Sequence, residues 1–173
     1  NLQILHDDNH LIVINKRVGD IVQGDNTGDK PLSEVVKEYI KDKYNKPGEV
    51  FLGVVHRLDR PTSGIILFAK KPSVLKIMNA QFEKRTVRKY YVALVDGEIP
   101  NPSGSLKDYL HKDFLQKKAI ISKQKRKENQ EVKLNFSKIG LVGQRTLLNI
   151  ELMTGKYHQI RVQLASMGFP IAG

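Results

Sequence analysis

The sequence predicts an α+β fold in which short strands, arranged in pairs, are flanked by helices. Runs of apolar and β-branched residues recur as neighbours along the chain, which is typical of antiparallel strands. Separate segments repeat apolar residues at helical spacing. Because the predicted strands outnumber the helices and come in adjacent pairs, we expect a mixed, largely antiparallel sheet.

The N-terminal half supplies strands and one helix. An apolar run at 11–14 predicts a buried strand. From Pro31, a residue suited to a first helical turn, apolar side chains fall on one face and predict a helix to about Tyr44. The residues of this face are Leu32, Val35, Val36, Tyr39 and Ile40. Two β-branched runs predict further strands at 51–55 and 64–68.

The C-terminal half continues the same alternation. A second helix is predicted by helical spacing of Leu75, Met78 and Phe82. Strands are predicted at 89–95, 132–136 and 147–152. A third helix within 157–167 places one apolar face inward, formed by Ile160, Leu164 and Met167. Since no repeat or long linker divides the chain, we expect a single catalytic domain over 1–173.

The charge balance points to a polyanionic partner. Twenty-nine Lys and Arg against 18 Asp and Glu give a formal net charge of +11 in 173 residues. Such a charge attracts nucleic acid, although a solvated basic surface with no cognate partner is the alternative. The stretch 111–133 is predicted to be an exposed basic hairpin or loop, with no aromatic residues spaced for base stacking. Its basic residues are 112, 117, 118, 123, 125, 126, 127 and 133.

Composition also excludes several classes of protein. With no cysteine, the chain has no disulfide and no thiolate zinc site, which fits a reducing cytosol. No apolar run approaches the roughly 18 residues that span a bilayer, and residues 1–3 begin no signal-peptide pattern. No phosphate-binding glycine motif is present. We therefore expect a soluble, cytoplasmic protein, monomeric and without metal or cofactor.

The string HRLDRPTSG at 56–64 concentrates the chemistry of the chain. It sets one carboxylate, Asp59, between Arg57 and Arg60, in a loop that joins two predicted strands. A loop at strand ends can present a reactive group on a rigid scaffold. On physical grounds alone, Asp59 is either such a group or the anchor of a structural salt bridge.

This string resembles the HRLDxxTSG signature of the RluA-like pseudouridine synthases at each fixed position. Residues 89–97, KYYVALVDG, are similar to the second motif of that family, with Tyr91 as the matching tyrosine. Residues 154–161, TGKYHQIR, resemble its third motif, TGRTHQIR, which PIAG at 170–173 continues. Together the three resemblances cover nearly the whole chain.

The chain departs from the family pattern at three places. Lys156 and Tyr157 stand where the family usually has Arg and Thr. NKRVG at 15–19 replaces the commoner NKPxG. Family members also continue beyond the position of Gly173 through further strands, so we expect this chain to be a fragment ending before them.

The resemblance implies an enzyme that isomerises uridine to pseudouridine in structured RNA, either rRNA or tRNA. It assigns Asp59 as nucleophile and leaves open attack at C1′, attack at C6, or assistance to loss of the C2′ proton. A carboxylate in a pocket that excludes water needs a cation to stay ionised, and the resemblance offers Arg161. We therefore expect Asp59 and Arg161 within ion-pair reach, although an ordinary surface arginine is the alternative.

The remaining site residues are assigned to the base and the RNA. A flipped pyrimidine needs a flat apolar wall with a polar tip, for which Tyr91 is the candidate if it is not simply a core tyrosine. The resemblance implies that Arg57 fills the gap that the flipped base leaves. Further substrate-binding candidates are His56, Arg60, Thr62, Ser63, Lys89 and Ile160; among these, His56, Thr62 and Ser63 are interpreted mainly as loop-shaping hydrogen-bonders.

Two other classes of function compete with this interpretation. The first is a basic RNA-binding module that keeps the fold without turnover, for which the trio Asp59, Tyr91 and Arg161 would be unnecessary. The second is a metal-dependent nuclease with Asp7, Asp8 or Asp59 as ligands. It lacks a second carboxylate at a convincing spacing.

Overall fold

A computed structural model describes residues 2–113, 115–116 and 118–173. The chain divides into two compact units, Asn1–Lys84 and Arg85–Gly173, called here the N-terminal and the C-terminal unit. Each has its own sheet and its own apolar core. The predicted α+β class is confirmed, with strands divided between two sheets in which all described pairings of the named strands are antiparallel.

Within the described residues, the N-terminal unit is a four-stranded sheet with two helices. Its elements are β1 (Ile4–Asp7), β2 (Leu11–Lys16), α1 (Leu32–Lys43), β3 (Gly53–Val54), β4 (Gly64–Ala69) and α2 (Pro72–Glu83). The strands pair in the order β1-β2-β4-β3. In β2, Ile12, Ile14 and Lys16 are buried and alternate with half-buried residues. Because alternate side chains of a strand share a face, Lys16 lies on the same buried face of β2 as the two isoleucines.

Helix α1 forms where the apolar period predicted it. Pro31 occupies the N-cap position in an extended conformation, and its carbonyl accepts the amides of Glu34 and Val35. Val36 and Ile40 are buried in the core of the unit. The predicted helix is confirmed to within one residue at each end.

Asp7, at the end of β1, joins three elements of the N-terminal unit through a buried carboxylate. Lys70 Nζ lies 2.7 Å from one carboxylate oxygen, and Lys43 Nζ lies 2.8 Å from the other. The Tyr44 hydroxyl donates to the second oxygen at 3.1 Å. Burial raises the pKa of Asp7, but the hydrogen bonds from Lys43, Lys70 and Tyr44 outweigh this effect and lower the pKa to about 2.

We expect Asp7→Asn to destabilise the protein at neutral pH by about 2 kcal/mol, because the native pKa is about two units below that of the unfolded chain. A lowered native pKa stabilises the fold above pH ~4, and this contribution is lost as the pH falls through about 2. Urea denaturation across this range should therefore show the two proteins converging in stability. Asp42→Asn, an exposed change on α1, is the control; a constant difference between wild type and Asp7→Asn at every pH would contradict the linkage.

Among the residues that the structure covers, the C-terminal unit is a five-stranded sheet with one helix. Its elements are β5 (Lys89–Asp96), β6 (Ser103–Asp113), β7 (Lys118–Ser122), β8 (Gln130–Val142), β9 (Arg145–Leu152) and α3 (Gln159–Ser166). The strands pair in the order β5-β9-β8-β6-β7. On α3, Leu164 is buried in the core, and Ile160 packs against it together with Met167. The predicted apolar face of the third helix is confirmed.

Strand β6 is the main element that the sequence pattern did not predict. Its inward series is interrupted by Asp108, which is 1% exposed. The carboxylate is paired with Lys123 and accepts from Gln163 Nε2 at 2.9 Å. A charged residue at an inward position breaks the apolar alternation by which a strand is predicted. The residues that pair with this charge lie in other elements, so the local sequence does not show them.

The hairpin predicted in the basic stretch 111–133 is present, but the stretch is exposed only in part, because its last residues begin β8 and Val132 is buried there. Strands β6 and β7 form the hairpin, and residues 123–128 are exposed. Asn129 closes the loop, accepting the Arg126 amide at 2.7 Å and donating to the Gln124 carbonyl at 3.0 Å. Of the basic residues assigned to this stretch, Lys117 lies outside the described residues.

Candidate active site and RNA interface

The first motif forms the loop between β3 and β4. A turn within it is closed by the Thr62 amide, which donates to the Asp59 carbonyl at 3.0 Å. Gly64, where β4 begins, has a φ of +138°, a conformation that side-chain-bearing residues rarely adopt. The Asp59 side chain is exposed, so the loop alone does not provide the water-excluding pocket expected around it.

A buried lysine supports this loop from below. Lys16, only 1% exposed, donates from Nζ to the carbonyls of Thr62 at 2.7 Å, Arg17 at 2.9 Å and Arg60 at 3.2 Å. Burial lowers the pKa of Lys16, against the opposing attraction of Asp20 and Asp59. With all three ammonium hydrogens directed at carbonyls, Lys16 fixes the backbone on the C-terminal side of Asp59.

We expect Lys16→Met to reduce stability by about 1–3 kcal/mol and turnover by about tenfold, because three carbonyls lose their donor and the loop that carries Asp59 loosens. Methionine keeps the length of the buried stem. Urea denaturation and the kcat for pseudouridine formation measure the two effects, with Lys41→Met on the exposed side of α1 as control. A stable Lys16→Met protein with wild-type kcat would show that the ammonium does not position the loop.

His56 attaches the start of the loop to its surroundings. Its Nε2 accepts the backbone amide of Leu67, in β4, at 3.1 Å. Its ring stacks on Phe82 of α2, with centroids 5.1 Å apart. Because Nε2 is an acceptor, the neutral ring carries its proton on Nδ1. The histidine thus links the motif to a strand and a helix.

Arg60 joins the loop to the segment that precedes α1. Its guanidinium lies 2.8 Å from Asp29 and 3.7 Å from Asp25, and it donates to the Thr27 hydroxyl at 2.9 Å. The Arg60 guanidinium is therefore engaged by side chains of the protein itself. Arg57 is exposed, as is Ser63, whereas Thr62 is half-buried.

The second motif lies on β5, where Lys89 and Tyr91 are half-buried. Tyr91 packs against the core of the C-terminal unit. Lys89 Nζ lies so close to Gly155 that a Cβ there would be 2.9 Å from it. Burial, with a smaller effect of Arg85, lowers the pKa of Lys89. The structure therefore places a cation of the second motif against the third motif.

The third motif is held by a buried hydrogen-bond network around Gln159, which is 2% exposed. The amide oxygen of Gln159 accepts from the Thr154 hydroxyl at 2.8 Å and the Lys156 amide at 3.2 Å. Its amide nitrogen donates to Gln163 at 2.9 Å and the Lys133 carbonyl at 3.2 Å. All the hydrogen-bonding groups of this amide are thus engaged, and they fix the start of α3 against β8.

Helix α3 carries the last two predicted site residues on different sides. Ile160 packs against the core, as does Tyr91. Arg161 is exposed, and no described carboxylate of the C-terminal unit lies within ion-pair distance of it. The network at Gln159, two residues before, fixes the backbone from which the guanidinium projects.

Sequence reasoning missed two buried polar residues of the site, Lys16 and Gln159. Both lie within strings that were compared with the family motifs, but neither was assigned a role. For Lys16 a signal existed, since it stands in phase with Ile12 and Ile14. A charged residue in an inward series is either an error of register or a buried donor with fixed partners.

In the described part of the chain, no group of three or more metal-ligating side chains lies together. Asp7 is paired with lysines, and Asp8 accepts from two backbone amides and contacts His6. No helix within the same residues is both long and apolar enough to cross a membrane.

The arrangement of the strands and helices is that of a known class of enzyme fold. The human RNA pseudouridylate synthase domain containing 4 protein superposes with a TM-score of 0.84 at 24% identity, covering 99% of this chain and 67% of that chain. The human domain containing 1 protein gives a TM-score of 0.77 at 21% identity, over 99% of this chain and 67% of that chain. At these identities the likeness concerns the fold.

The family model of RNA pseudouridylate synthase matches residues 10–166, and the chain therefore belongs to this family. The ribosomal large subunit pseudouridine synthase C of Vibrio vulnificus is 37% identical over 169 residues, which are 98% of this chain and 50% of the relative. The synthase D of Borreliella burgdorferi is 32% identical, over 99% of this chain and 53% of the relative. The chain spans about half the length of the curated relatives it matches.

Proposed function

We propose that this chain carries the catalytic machinery of an RNA pseudouridine synthase, which isomerises uridine without metal or cofactor. The first motif carries the proposal, because its loop presents Asp59 on a backbone held by buried Lys16. Such support is what a positioned reactive group requires, since small displacements of a catalytic side chain cost much of the rate. The proposed reaction is inferred from the family to which the chain belongs.

The reaction suits a single carboxylate. Isomerisation breaks the bond from N1 to C1′, turns the detached uracil, and forms a bond from C5 to C1′, with no oxidation or reduction. We propose Asp59 as the group that acts on the uridine, by attack at C1′ or C6 or by assisting loss of the C2′ proton. In each case an ionised carboxylate on a rigid loop is the required species.

The C-terminal unit is proposed to hold the uridine. Tyr91 offers a ring for the flipped base, and Lys89, half-buried beside Gly155, offers a cation to it. Arg161 is proposed to stabilise the charge of the reacting carboxylate. Arg57, exposed next to the turn of Asp59, is proposed to fill the space from which the base is extruded.

The proposed substrate is structured RNA, and rRNA is the first candidate. Two relatives are named for the large ribosomal subunit, which favours rRNA over tRNA as the substrate of this chain. The net charge of +11 favours a polyanion. We further propose a cytoplasmic protein, supported by the absence of cysteine, and a monomer as its simplest assembly.

The direct test is to incubate the chain with rRNA and tRNA from cells that lack the protein, and to map pseudouridine by reverse-transcription stops. We expect stops at discrete uridines of rRNA that are absent without protein and insensitive to EDTA. RNA binding without new pseudouridine would instead favour the non-catalytic RNA-binding module. Loss of product in EDTA would contradict the metal-free chemistry.

The loop of the basic stretch is expected to contribute to RNA affinity through phosphate contacts. Replacing Lys125, Arg126 and Lys127 by Gln should weaken RNA binding and reduce the slope of log K against log salt by about two to three, since each phosphate contact releases counterions. Binding titrations at several salt concentrations measure this slope. The turnover of bound RNA should be unchanged.

The matched control for this triple variant removes three exposed lysines of the N-terminal unit, Lys41, Lys46 and Lys76. It lowers the net charge of the protein equally. If both triple variants reduce the slope to the same extent, net charge alone attracts the RNA and the loop has no specific contact. An unchanged slope in the loop variant would leave the loop as a solvated surface.

A further inference from the structure

An aromatic stack with a cation above it lies on the C-terminal unit. The rings of Tyr157 and His158 are parallel to within 19°, with centroids 3.8 Å apart. Lys112 Nζ, from β6, lies 4.4 Å from the centroid of the Tyr157 ring. Because a stacked ring excludes an ammonium from its own face, Lys112 covers the opposite face of the tyrosine. Tyr157 remains 37% exposed.

The backbone holds this stack in an uncommon conformation. His158 has a φ of +51°, in the left-handed region that residues other than glycine seldom occupy. The next residue is Gln159, whose buried hydrogen bonds reach Thr154 and Lys156 on the other side of the pair. Buried hydrogen bonds therefore hold the backbone on both sides of the two rings, and strain of this kind persists where the surroundings over-determine it.

The stack joins the basic stretch to the third motif. Lys112 belongs to the hairpin of β6 and β7, and Lys156 is exposed beside Tyr157. The basic stretch has no aromatic spacing of its own, but the fold brings it the tyrosine of a segment remote in sequence. Cations and stacked aromatic rings together are the elements by which proteins bind unpaired nucleobases.

We propose that Tyr157 and His158 form a stacking subsite for one unpaired nucleobase of the RNA substrate. The base takes the place of the Lys112 ammonium over the Tyr157 ring, and the ammonium pairs with a phosphate of the same strand. A nucleobase has a flat face for the ring, and its strand supplies the anion that the displaced cation needs. The subsite rests on the proposed function only in taking the substrate to be RNA.

The test compares Tyr157→Leu with Tyr157→Phe, which keeps the ring and removes only the hydroxyl. With a short single-stranded oligoribonucleotide that contains a fluorescent adenine analogue, Tyr157→Leu should weaken binding about tenfold and abolish the stacking quench. Tyr157→Phe should bind like wild type. With rRNA as substrate, Tyr157→Leu should raise KM and leave kcat within about twofold, as expected when a contact made equally with bound substrate and transition state is removed.

Tyr90→Leu is the matched control, because Tyr90 is an exposed tyrosine of the same unit with the Arg88 guanidinium 5.4 Å from its ring centroid. Equal weakening of binding by Tyr90→Leu, or no weakening by Tyr157→Leu, would overturn the subsite.

A second experiment uses only the wild-type protein, which is photocrosslinked to a halogenated single-stranded RNA. A crosslink at Tyr157 or His158 supports the proposal, and crosslinks confined to other residues overturn it.

Failure of this subsite and failure of the proposed function give different results. A protein that stacks the fluorescent base through Tyr157 but makes no pseudouridine retains the subsite and loses the enzyme. A protein that makes pseudouridine with wild-type KM after Tyr157→Leu retains the enzyme and loses the subsite.

Discussion

Asp59→Asn is expected to reduce pseudouridine formation by at least about a thousandfold, because the amide is not a nucleophile and carries no charge to stabilise the sugar. The fold should be preserved, since the turn is held by the backbone of Asp59 and by Lys16. RNA affinity should stay within about twofold of wild type, because phosphate contacts supply most of the binding energy. Single-turnover product formation and binding titrations measure the two quantities separately.

The control is Asp42→Asn, which removes an exposed carboxylate of α1 from the same unit. It should retain wild-type turnover. If Asp59→Asn keeps more than about a hundredth of the wild-type rate, Asp59 is not the nucleophile. The structural salt-bridge alternative would then predict a loss of stability, which thermal unfolding detects.

Arg161→Gln is expected to lower kcat by about a hundredfold, the typical cost of removing one preorganised charge from a reacting group. Arg161→Lys should recover only part of this loss, because an ammonium cannot make the bidentate contact of a guanidinium. KM should change little. Arg161 is an exposed residue of α3, so neither substitution should reduce stability by more than about 0.5 kcal/mol.

A double variant decides whether Arg161 acts through Asp59. If both residues serve one step, adding Arg161→Gln to Asp59→Asn should cost almost nothing more, as observed for groups that act as a unit. Arg145→Gln, which removes the partner of Asp96 on the sheet surface, is the control for loss of a cation. If Arg145→Gln lowers kcat as much as Arg161→Gln does, the effect of Arg161 comes from the loss of one positive charge and not from a specific contact with Asp59.

Local pattern was sufficient for the elements whose side chains meet an apolar core. Helix α1 was predicted from its spacing because Val36 and Ile40 are buried by the same core that receives β2. Helix α3 follows the same logic through Leu164. In these elements the spacing of the apolar residues matches the period of the backbone, so residues close in sequence are enough to predict the element.

Strand β6 shows where the pattern stops being informative. Asp108 interrupts its inward series, and the interruption is tolerated only because Lys123 and Gln163 meet the carboxylate. These partners come from the loop after β7 and from α3. The sequence of the strand alone places a charge at an inward position and shows no partner for it, so the pattern does not indicate a strand.

The site divides in the same way. The resemblance proposes Asp59, Tyr91 and Arg161 as the residues that bear chemistry, because they lie in short contiguous motifs. It did not reveal what holds them. Lys16 reaches the loop of Asp59 from a strand more than forty positions away in sequence, and its role depends on three carbonyls that carry no side-chain signature.

The sequence alone determined the class of fold and the periods of the main helices and strands, and it proposed the reactive residues, since each of these is carried by neighbouring positions. Only the tertiary structure decided which polar groups are buried and what satisfies them. It set Arg60 against two aspartates, Lys89 against Gly155, and Lys112 over Tyr157. The physical reason is that hydrogen bonding and desolvation depend on distances in space, which distant segments acquire only when the chain is folded.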